Sequence, residues 1–437
     1  MTATAPSLGF SEETFEHLLE VRHEPTWVTD LRRKAWRVFC ELDWPSRTSE
    51  EWIRTDIRLF RLDRFALATD PTVGTVCSRG LLGAHIELGG QTFSADGHLV
   101  DTRLDKQWSD QGVLFGSLED MLAEHGDLLR SYLLTKAVYL SYDRFAALHA
   151  AFWTSGTVLY VPKGVVVDKP FHTLSTLSDG SCDLGHTLVI LEEGAEATML
   201  SETESVHDQA GGLHCGAIEL IVKPGANLRY VNLQNWGQGV WHFSHQKALV
   251  DRDASLQWTS GAMGARLAKV NQHVGLIGDG AFSQMNGAMF TEGKQHLSYH
   301  TLQHHEAPNY RSDFLYKAAL QDKSRTVWRG MIKVDSVAQQ TDGYQRNDNL
   351  LLSSEARADS IPGLEIEADD VRCTHGSTSG RVDEELIFYA RCRGYTHKEA
   401  IQMIVTGFFQ QIFDRITIDS VREALTLAIA RRVREYE

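Results

Sequence analysis

The residue pair with the most specific chemistry is a cysteine and a histidine in the stretch Cys373-Thr-His375. On a β-strand, positions i and i+2 project from the same face, so a thiolate and an imidazole would lie ~7 Å apart. These ligand types suit iron, iron–sulfur clusters and zinc. The pattern equally fits a buried cysteine beside a structural histidine. Because two ligands do not complete a tetrahedral site, a metal here would need others, and a second chain is a natural source.

A second group with metal-ligating side chains is a run of four histidines, His296, His300, His304 and His305. On a helix this spacing would form a metal-binding face, but the surrounding sequence is typical of strands. On a strand the first three share one side, with ~13 Å between positions four apart. The pattern favours hydrogen-bonded roles, and a histidine-dependent metal hydrolase using His300, His304 and His305 stays an alternative.

Motifs for nucleotide binding and for hydrolysis are missing. The stretch from Gly287 to Lys294 has one residue too many for a P-loop, and Gln295 replaces the hydroxyl that binds Mg²⁺. The sequence Gly376-Ser-Thr-Ser-Gly380 carries threonine in the nucleophile position of GxSxG. The neighbours Asp369-Asp370 would point to opposite faces of a strand and could not act on one bond. We therefore expect no nucleotide bound by this chain, and the motifs give little support to a hydrolase.

The composition is that of an acidic globular protein. The 437 residues include 43 lysines and arginines against 58 aspartates and glutamates, a net charge of −15. There is no basic block for nucleic-acid phosphates, no apolar run near the ~18 residues of a membrane helix, and no signal-peptide pattern at the start. The six cysteines form no CxxC pair and are typical of free thiols in a reducing compartment. We predict a cytoplasmic protein that binds neither nucleic acid nor membrane.

The elements that position these residues change along the chain, and the central part contains a repeat. A strand end, two polar turn residues, a Gly or Asp and then an alanine recur every 27 to 31 residues, at Ala195, Ala226, Ala254 and Ala281. A period of this size built from strands indicates a solenoid, and a small alanine suits a tight inward corner. We therefore predict a parallel β-helix, with a β-sandwich as the alternative because its short strands also recur regularly.

Helical patterns flank the solenoid. We predict a mostly helical N-terminal region over residues 1–150, a parallel β-helix core over 151–380 and a C-terminal helical domain over 381–437. The C-terminal domain contains two predicted capping boxes, Thr396-His-Lys-Glu399 and Ser420-Val-Arg-Glu423. Because unpaired strand edges invite aggregation, we expect the helical segments to cover both ends of the solenoid.

Two features of the C-terminal half leave alternatives open. The apolar stripe between the capping boxes is wide enough either to dock into its own domain or to be kept partly for another protein. Between Leu364 and Cys373 the alternation of apolar residues changes phase. A single strand over 364–375 would need a bulge near Asp369-Asp370 to bury both groups.

Several long stretches resemble the SufB/SufD family of iron–sulfur cluster assembly proteins. They are residues 343–353, 362–376 and 380–394, with shorter matches at 304–308, 341–342, 22–27 and 51–56. The similarity is collinear over nearly the whole chain and is densest from about 300 to 410. It is closest to the SufD branch, because Cys-x-His-Gly at 373–376 has the SufD form and the N-terminal CxxC segments of many SufB chains are absent.

This resemblance implies a right-handed parallel β-helix between helical end domains and a role as a non-catalytic scaffold subunit. It implies pairing with a SufB-like paralogue through the β-helix, with a homodimer as the possible state in isolation. It also implies docking of a SufC-like ABC ATPase through the C-terminal helices, and Cys373 and His375 as ligands of iron or a nascent, transient cluster shared with the SufB-like partner. The candidate docking residues are Ile404, Phe408, Phe409 and Ile412.

A β-helix enzyme acting on polysaccharide, such as a lyase, is the alternative from another functional class, because a fold alone does not determine function. Such an enzyme would usually carry a secretion signal, and it would cluster carboxylates or Ca²⁺ ligands on one face of the solenoid. Neither feature is evident in this sequence.

Overall fold

The protein is built around a parallel β-solenoid with helices on its outer faces. The computed structural model describes residues 9–68, 80–83 and 86–433, so that Cys77, one of the six predicted free thiols, lies outside the described residues. The strands, in chain order, are β1 Gly90–Ala95, β2 His98–Leu104, β3 Leu114–Ser117, β4 Gly156–Val161, β5 Phe171–Leu177, β6 Ser181–Asp183, β7 His186–Leu191, β8 Glu196–Ser205, β9 Gly211–Val222, β10 Asn227–Asn235, β11 Gly239–Val250, β12 Ser255–Ala262, β13 Leu267–Leu276, β14 Phe282–Thr291, β15 His296–His305, β16 Arg311–Leu320, β17 Arg325–Val334, β18 Thr341–Leu351, β19 Arg357–Ile366 and β20 Val371–Arg381.

Two sheets face each other across the solenoid, and from β7 onward the chain passes alternately between them. Sheet A has the order β2-β1-β5-β8-β10-β12-β14-β16-β18-β20, and sheet B has the order β19-β17-β15-β13-β11-β9-β7-β4-β3 with β6 beside β9. Neighbouring strands are parallel, apart from the antiparallel pairs β1–β2 and β3–β4 at the N-terminal end. The predicted parallel β-solenoid is therefore confirmed, and the sandwich alternative is wrong.

The repeated alanines occupy the corners that lead into sheet A. Ala195, Ala226, Ala254 and Ala281 are buried, and each directly precedes the first residue of β8, β10, β12 or β14. The residue before each alanine has a positive φ: +68° at Gly194, +67° at Gly225, 55° at Asp253 and +73° at Gly280. This conformation favours Gly and is tolerated by Asp, which explains why those two residue types alternate in the repeat.

Helices flank the solenoid at both ends of the chain, as predicted. They are α1 Glu12–Val21, α2 Thr26–Glu41, α3 Lys106–Ser109, α4 Leu118–Leu129, α5 Arg144–Phe152, α6 Glu384–Cys392, α7 His397–Phe413 and α8 Asp419–Arg432, with a 3₁₀ turn at Leu62–Arg64. The N-terminal helices pack on the outer face of sheet B, where Phe15, Phe39 and Phe152 join a cluster with Leu213 and Phe243. The strands of the N-terminal region, β1 and β3, extend sheets A and B.

The C-terminal helices pack along the outer face of sheet A, and not across the end of the solenoid. Phe409, Phe413 and Leu425 share one buried cluster with Phe290 and Leu315 of sheet A. Leu315 faces outward because its strand neighbours Phe314 and Tyr316 point into the solenoid core. The expectation that these helices cover the strand edges is therefore wrong, because their apolar residues pack against the outer face of sheet A instead.

Two local expectations have different outcomes. The capping box at Thr396 is confirmed, because the Thr396 side chain accepts from the Glu399 N–H while the Glu399 carboxylate accepts from the Thr396 N–H. The box at Ser420 is wrong. Helix α8 begins at Asp419 with Ile418 as its N-cap, so Ser420 lies inside the first turn and cannot act as the cap.

Residues 364–375 are not one strand. Strand β19 ends at Ile366 in sheet B, the chain turns a corner, and β20 begins at Val371 in sheet A. Leu364 lies beside the buried Ile332, whereas Cys373 lies beside Gly343. The apolar residues before and after Asp369-Asp370 therefore both face inward, but from different sheets. The predicted bulge is wrong, because a corner of four residues separates the two strands.

Candidate functional site

The last turn of the solenoid is open. Strand β20 is the final strand of sheet A and pairs with β18 alone, while β19 is the final strand of sheet B and pairs with β17 alone. Most residues of both strands are exposed or half-buried, in contrast to the buried strands of the preceding turns. Among the described residues, nothing pairs with the outer edges of these strands. We call this turn, β19 with β20, the open end.

Cys373 and His375 lie on the inward row of the open end. In the parallel register Cys373 is beside Gly343 and His375 is beside Gln345, both of which are buried. Gln345 marks the inward side, because its Nε2 donates to the Gly330 and Gly363 carbonyls of sheet B at 3.3 and 3.0 Å. The two candidate ligands therefore share one side of the strand, as their spacing predicts.

The two side chains differ in environment. Cys373 is half-buried and packs against the small apolar cluster of Ile332, Val334, Ala338 and Ala368. This burial raises the pKa of the Cys373 thiol, so its neutral form is favoured in the absence of a metal or another cation. His375 is exposed to solvent. The site thus combines a sheltered thiol with an accessible imidazole.

The described residues do not form a complete ligand set. In the part of the chain that the structure describes, no three His, Cys, Asp or Glu side chains are grouped so that they could hold a metal ion. Cys373 and His375 fit the soft ligand types that iron and iron–sulfur clusters prefer, but they supply two ligands of the four such sites require. Any iron or cluster bound here would need its remaining ligands from beyond these described groups.

The open end also exposes apolar side chains that would be interior in any other turn. Leu364 and Ile366 on β19 lie beside the fully buried Ile332 and Val334 of β17, yet they are 38% and 40% exposed. They are exposed because no further turn covers them among the described residues. This apolar surface lies at the same end of the solenoid as Cys373, a juxtaposition that the sequence did not reveal.

Two of the four predicted histidines of β15, His304 and His305, form hydrogen bonds, while His300 is buried and His296 is half-buried. His296, His300 and His304 alternate with the inward residues Leu297 and Tyr299, so they share the outer face as predicted. Burial lowers the pKa of His300 to about 2 and that of His296 to about 4.

The other two histidines have clear partners. His304 lies 3.2 Å from Glu306 and 2.9 Å from Asp335, and these carboxylates raise its pKa. His305 lies on the opposite, inward side and bonds to the Ser312 hydroxyl at 3.0 Å. The polar role that the sequence favoured is therefore found at these positions, and the metal-hydrolase alternative is not supported.

The candidate docking residues of α7 divide into two pairs. Phe409 and Ile412 are fully buried against sheet A, so neither can contact a partner while the helix stays in place. Ile404 and Phe408 are half-buried, and Phe408 is fixed by Lys317, whose Nζ donates to the Phe408 carbonyl at 2.9 Å. The docking prediction therefore stays with Ile404 and Phe408.

Further exposed apolar side chains lie on α6, in the loop after it and on α7. They are Leu386, Phe388, Tyr389, Tyr395 and Met403, all between 46% and 69% exposed. We call these five residues the α6 patch. The adjacent aromatic residues Phe388 and Tyr389 on a nine-residue helix were the available signal, because a short helix cannot bury both sides against one sheet.

Comparison with known proteins agrees with this architecture. Residues 174–408 match the model of the SUF system FeS cluster assembly SufBD core domain, and residues 13–173 match that of the SufBD protein N-terminal region. A protein of Staphylococcus epidermidis named iron-sulfur cluster assembly SufBD family protein is 26% identical over 418 residues, with 92% of this chain and 88% of that protein covered. Proteins of the same family from Staphylococcus haemolyticus and Staphylococcus aureus are 25% identical with the same coverage.

No helix in the described part of the chain is both long and apolar enough to cross a membrane. The two family models together span residues 13–408, which include the whole solenoid and the open end. This chain belongs to the SufBD family of iron–sulfur cluster assembly proteins.

Proposed function

We propose that this chain is a SufD-like, non-catalytic scaffold subunit that presents Cys373 and His375 to a SufB-like paralogue at the open end. The observation that carries the proposal is that both residues lie on the inward row of a terminal strand whose outer edge is unpaired among the described residues. Family membership supplies the context, because the relatives are named as iron–sulfur cluster assembly proteins. We expect the protein to work in the cytoplasm.

A SufB-like paralogue fits the open end for two physical reasons. The outer edges of β19 and β20 present backbone donors and acceptors that a similar two-stranded solenoid end could pair with. Leu364 and Ile366 would be buried by the same contact, which would remove exposed apolar surface from water. A partner from the same family would have the matching cross-section, and a second copy of this chain could substitute for it in isolation.

The cargo would be iron or a nascent cluster, held transiently between the two subunits. Cys373 and His375 would supply two ligands, and the paralogue would supply the others. Because burial favours the neutral thiol of Cys373, metal binding there would have to release a proton. A site with this property would bind its cargo only when the partner completes the ligand set.

The α6 patch supports the proposed docking of a SufC-like ABC ATPase. Three of its five apolar residues are exposed on the short helix α6, and Met403 lies on α7 with the half-buried Ile404. The sequence contains no P-loop, so nucleotide-driven changes in such a complex would have to come from the ATPase partner. Docking through α6 would place that partner on the flank of the solenoid.

The proposal is tested by coexpressing this chain with its SufB-like and SufC-like partners and purifying the complex without oxygen. In His375→Ala we expect the complex to assemble normally but to yield several-fold less iron and sulfide per complex. Thr374→Ala is the matched control, because Thr374 is the exposed neighbour on the opposite face of β20. An intact His375→Ala complex with a normal cluster yield would refute the role proposed for His375.

A further inference from the structure

The interior of the solenoid contains a polar segment in an otherwise apolar core. Asn232 and Gln234 on β10 face inward, as do Ser244 and Gln246 on β11, and all four are buried. These side chains line a cavity of about 80 Å³ between the two sheets. Earlier and later inward positions on the same strands are apolar, such as Leu228 and Ala248. The cavity is therefore a local feature, and its properties are independent of the function proposed above.

Three polar atoms at this cavity have no hydrogen-bond partner among the described residues. They are Oδ1 of Asp183, Nδ1 of His214 and Nε2 of Gln234. All three residues line the cavity, and each is more than nine-tenths buried. Because buried polar groups in folded proteins are satisfied with few exceptions, three such atoms around one cavity require a hydrogen-bonding molecule inside it.

We infer that this cavity binds a cluster of ordered water molecules. A water molecule needs about 10–15 Å³ of such volume, so the cavity holds on the order of five. Hydroxyl, amide and imidazole groups of the lining, such as those of Ser201, Gln246 and His214, offer hydrogen-bond partners to these waters.

The charges around the cavity exclude an ion. Its lining contains the carboxylate of Asp183 but no lysine or arginine, so an anion would be repelled. Glu202 also lines the cavity, but its carboxylate points to the outer side, where it accepts from the Leu81 and Leu82 N–H groups. Two of the three histidines of the lining, His214 and His242, are buried in a way that lowers their pKa and keeps them neutral. The third, His186, is bonded to His149 and Glu219. No three metal-ligating groups come together among the described residues, so a cation has no ligand set. A neutral hydrogen-bonding molecule remains.

Neighbouring side chains hold the cavity wall in a fixed orientation. The Gln272 Nε2 donates to Gln246 Oε1 and to the Ser260 hydroxyl, each at 2.8 Å, and Tyr316 donates to Gln272 Oε1 at 2.7 Å. Gln246 in turn donates to Ser244 at 3.0 Å. These bonds fix the amide groups of Gln246 and Gln272 in this part of the wall.

The number of internal waters can be measured by oxygen-17 magnetic relaxation dispersion on the full chain. Ser201 lines the cavity, and Ser201→Leu adds two heavy atoms to it. We expect this variant to lose about two long-lived waters relative to the wild type, by the volume argument above. Met285→Leu is the matched control, because Met285 is buried in the same interior but outside the cavity, and its water count should not change.

A second variant keeps the test decisive if Ser201→Leu does not fold. Gln234→Met removes the free Nε2 at nearly constant volume. The substitution also removes Gln234 Oε1, which accepts from the Tyr299 hydroxyl at 3.4 Å, so the urea midpoint falls in either case and the water count decides the test. If water binds the Nε2 atom, the variant loses one counted water. An unchanged count in a folded Ser201→Leu or Gln234→Met protein would overturn the inference.

Discussion

Cys373 lies directly beside Gly343, so closely that a Cβ added to the glycine would stand 3.3 Å from the thiol sulfur. The same Cβ would meet Ile332 Cγ2 at 3.3 Å, so it would have contacts on two sides. The absence of a side chain at position 343 therefore allows the Cys373 thiol to sit in its half-buried position at the open end. Any larger residue at 343 would have to displace the sulfur or the isoleucine.

The first prediction concerns the accessibility of this thiol. In Gly343→Ala we expect the Cys373 sulfur to move toward solvent, and its alkylation by iodoacetamide at constant pH to become several-fold faster. Site-resolved mass spectrometry distinguishes Cys373 from the exposed Cys40 and Cys392. Gly380→Ala is the control, because Gly380 lies on β20, the strand of Cys373, and a Cβ there meets no atom within 4 Å. Equal rates in both variants and the wild type would contradict the proposed contact.

The second prediction concerns Lys269, which is buried on the outer face of sheet B beneath Trp52. Burial lowers its pKa from 10.5 to about 7, and its Nζ donates to Asn271 at 2.9 Å. Between pH 7 and 10.5 the unfolded chain binds a proton that the folded chain does not, so the free energy of unfolding rises with pH. For this group alone the rise between pH 7 and 9 is about 2 kcal/mol.

Lys269→Met should remove this pH dependence. We expect the variant to be more stable than the wild type at pH 7, with the difference shrinking toward pH 9 by about 2 kcal/mol. Urea unfolding at several pH values measures the difference, and subtracting the two profiles cancels the contributions of other titrating groups. Parallel profiles for the two proteins would show that Lys269 keeps an ordinary pKa in the folded state.

The third prediction concerns Glu219, a fully buried carboxylate on sheet B. It accepts hydrogen bonds from the N–H groups of Leu134 and Val138 at 2.7 and 2.9 Å, and it lies 3.1 Å from His186. Glu219→Ala should lower the free energy of unfolding by about 3–5 kcal/mol, because these buried groups lose their partner. The exposed Glu193, paired with Lys163, is the control, and Glu193→Ala should change stability by less than about 1 kcal/mol. Similar losses in both variants would contradict this role.

The fourth prediction separates the buried and exposed sides of the C-terminal helices. Phe409→Ala should cost about 3–5 kcal/mol of stability because it leaves a cavity against sheet A. Phe388→Ser should leave stability nearly unchanged, since Phe388 is 69% exposed, but should weaken binding of the SufC-like ATPase in calorimetric titration. Leu427→Ser is the control for binding, because Leu427 is also an exposed apolar residue (49%) but lies on α8. Unaltered affinity in Phe388→Ser would rule out the α6 patch as the docking surface.

The sequence predicted the solenoid because its corners carry a local chemical requirement. Gly194 and Asp253 adopt positive φ, and the alanine after each fits inside a closed turn, so the repeat is visible without any tertiary information. The corner between Ile366 and Val371 contains no residue with positive φ. It therefore lacked the signal of the other corners and was interpreted as a bulge within one strand.

The placement of the site was less predictable than its chemistry. The spacing of Cys373 and His375 was enough to predict that they share a face, because the alternation of a strand is local. Which end of the solenoid is open depends on where the C-terminal helices pack. Their apolar stripe showed that Phe409 would be buried, but an amphipathic pattern does not identify the surface that buries it.

The alternation of strands between two sheets makes the molecule behave as a one-dimensional stack. Within the solenoid, each turn pairs its strands only with the turn before and the turn after it, while the flanking helices add contacts across several turns. The outermost turn has a single neighbouring turn, and we expect it to fray first. That turn carries Cys373 and His375. A partner that binds the open end would supply the missing neighbour, and the free energy of association would also order the two ligands. Assembly of the complex and formation of its metal-binding geometry would then be one thermodynamic event.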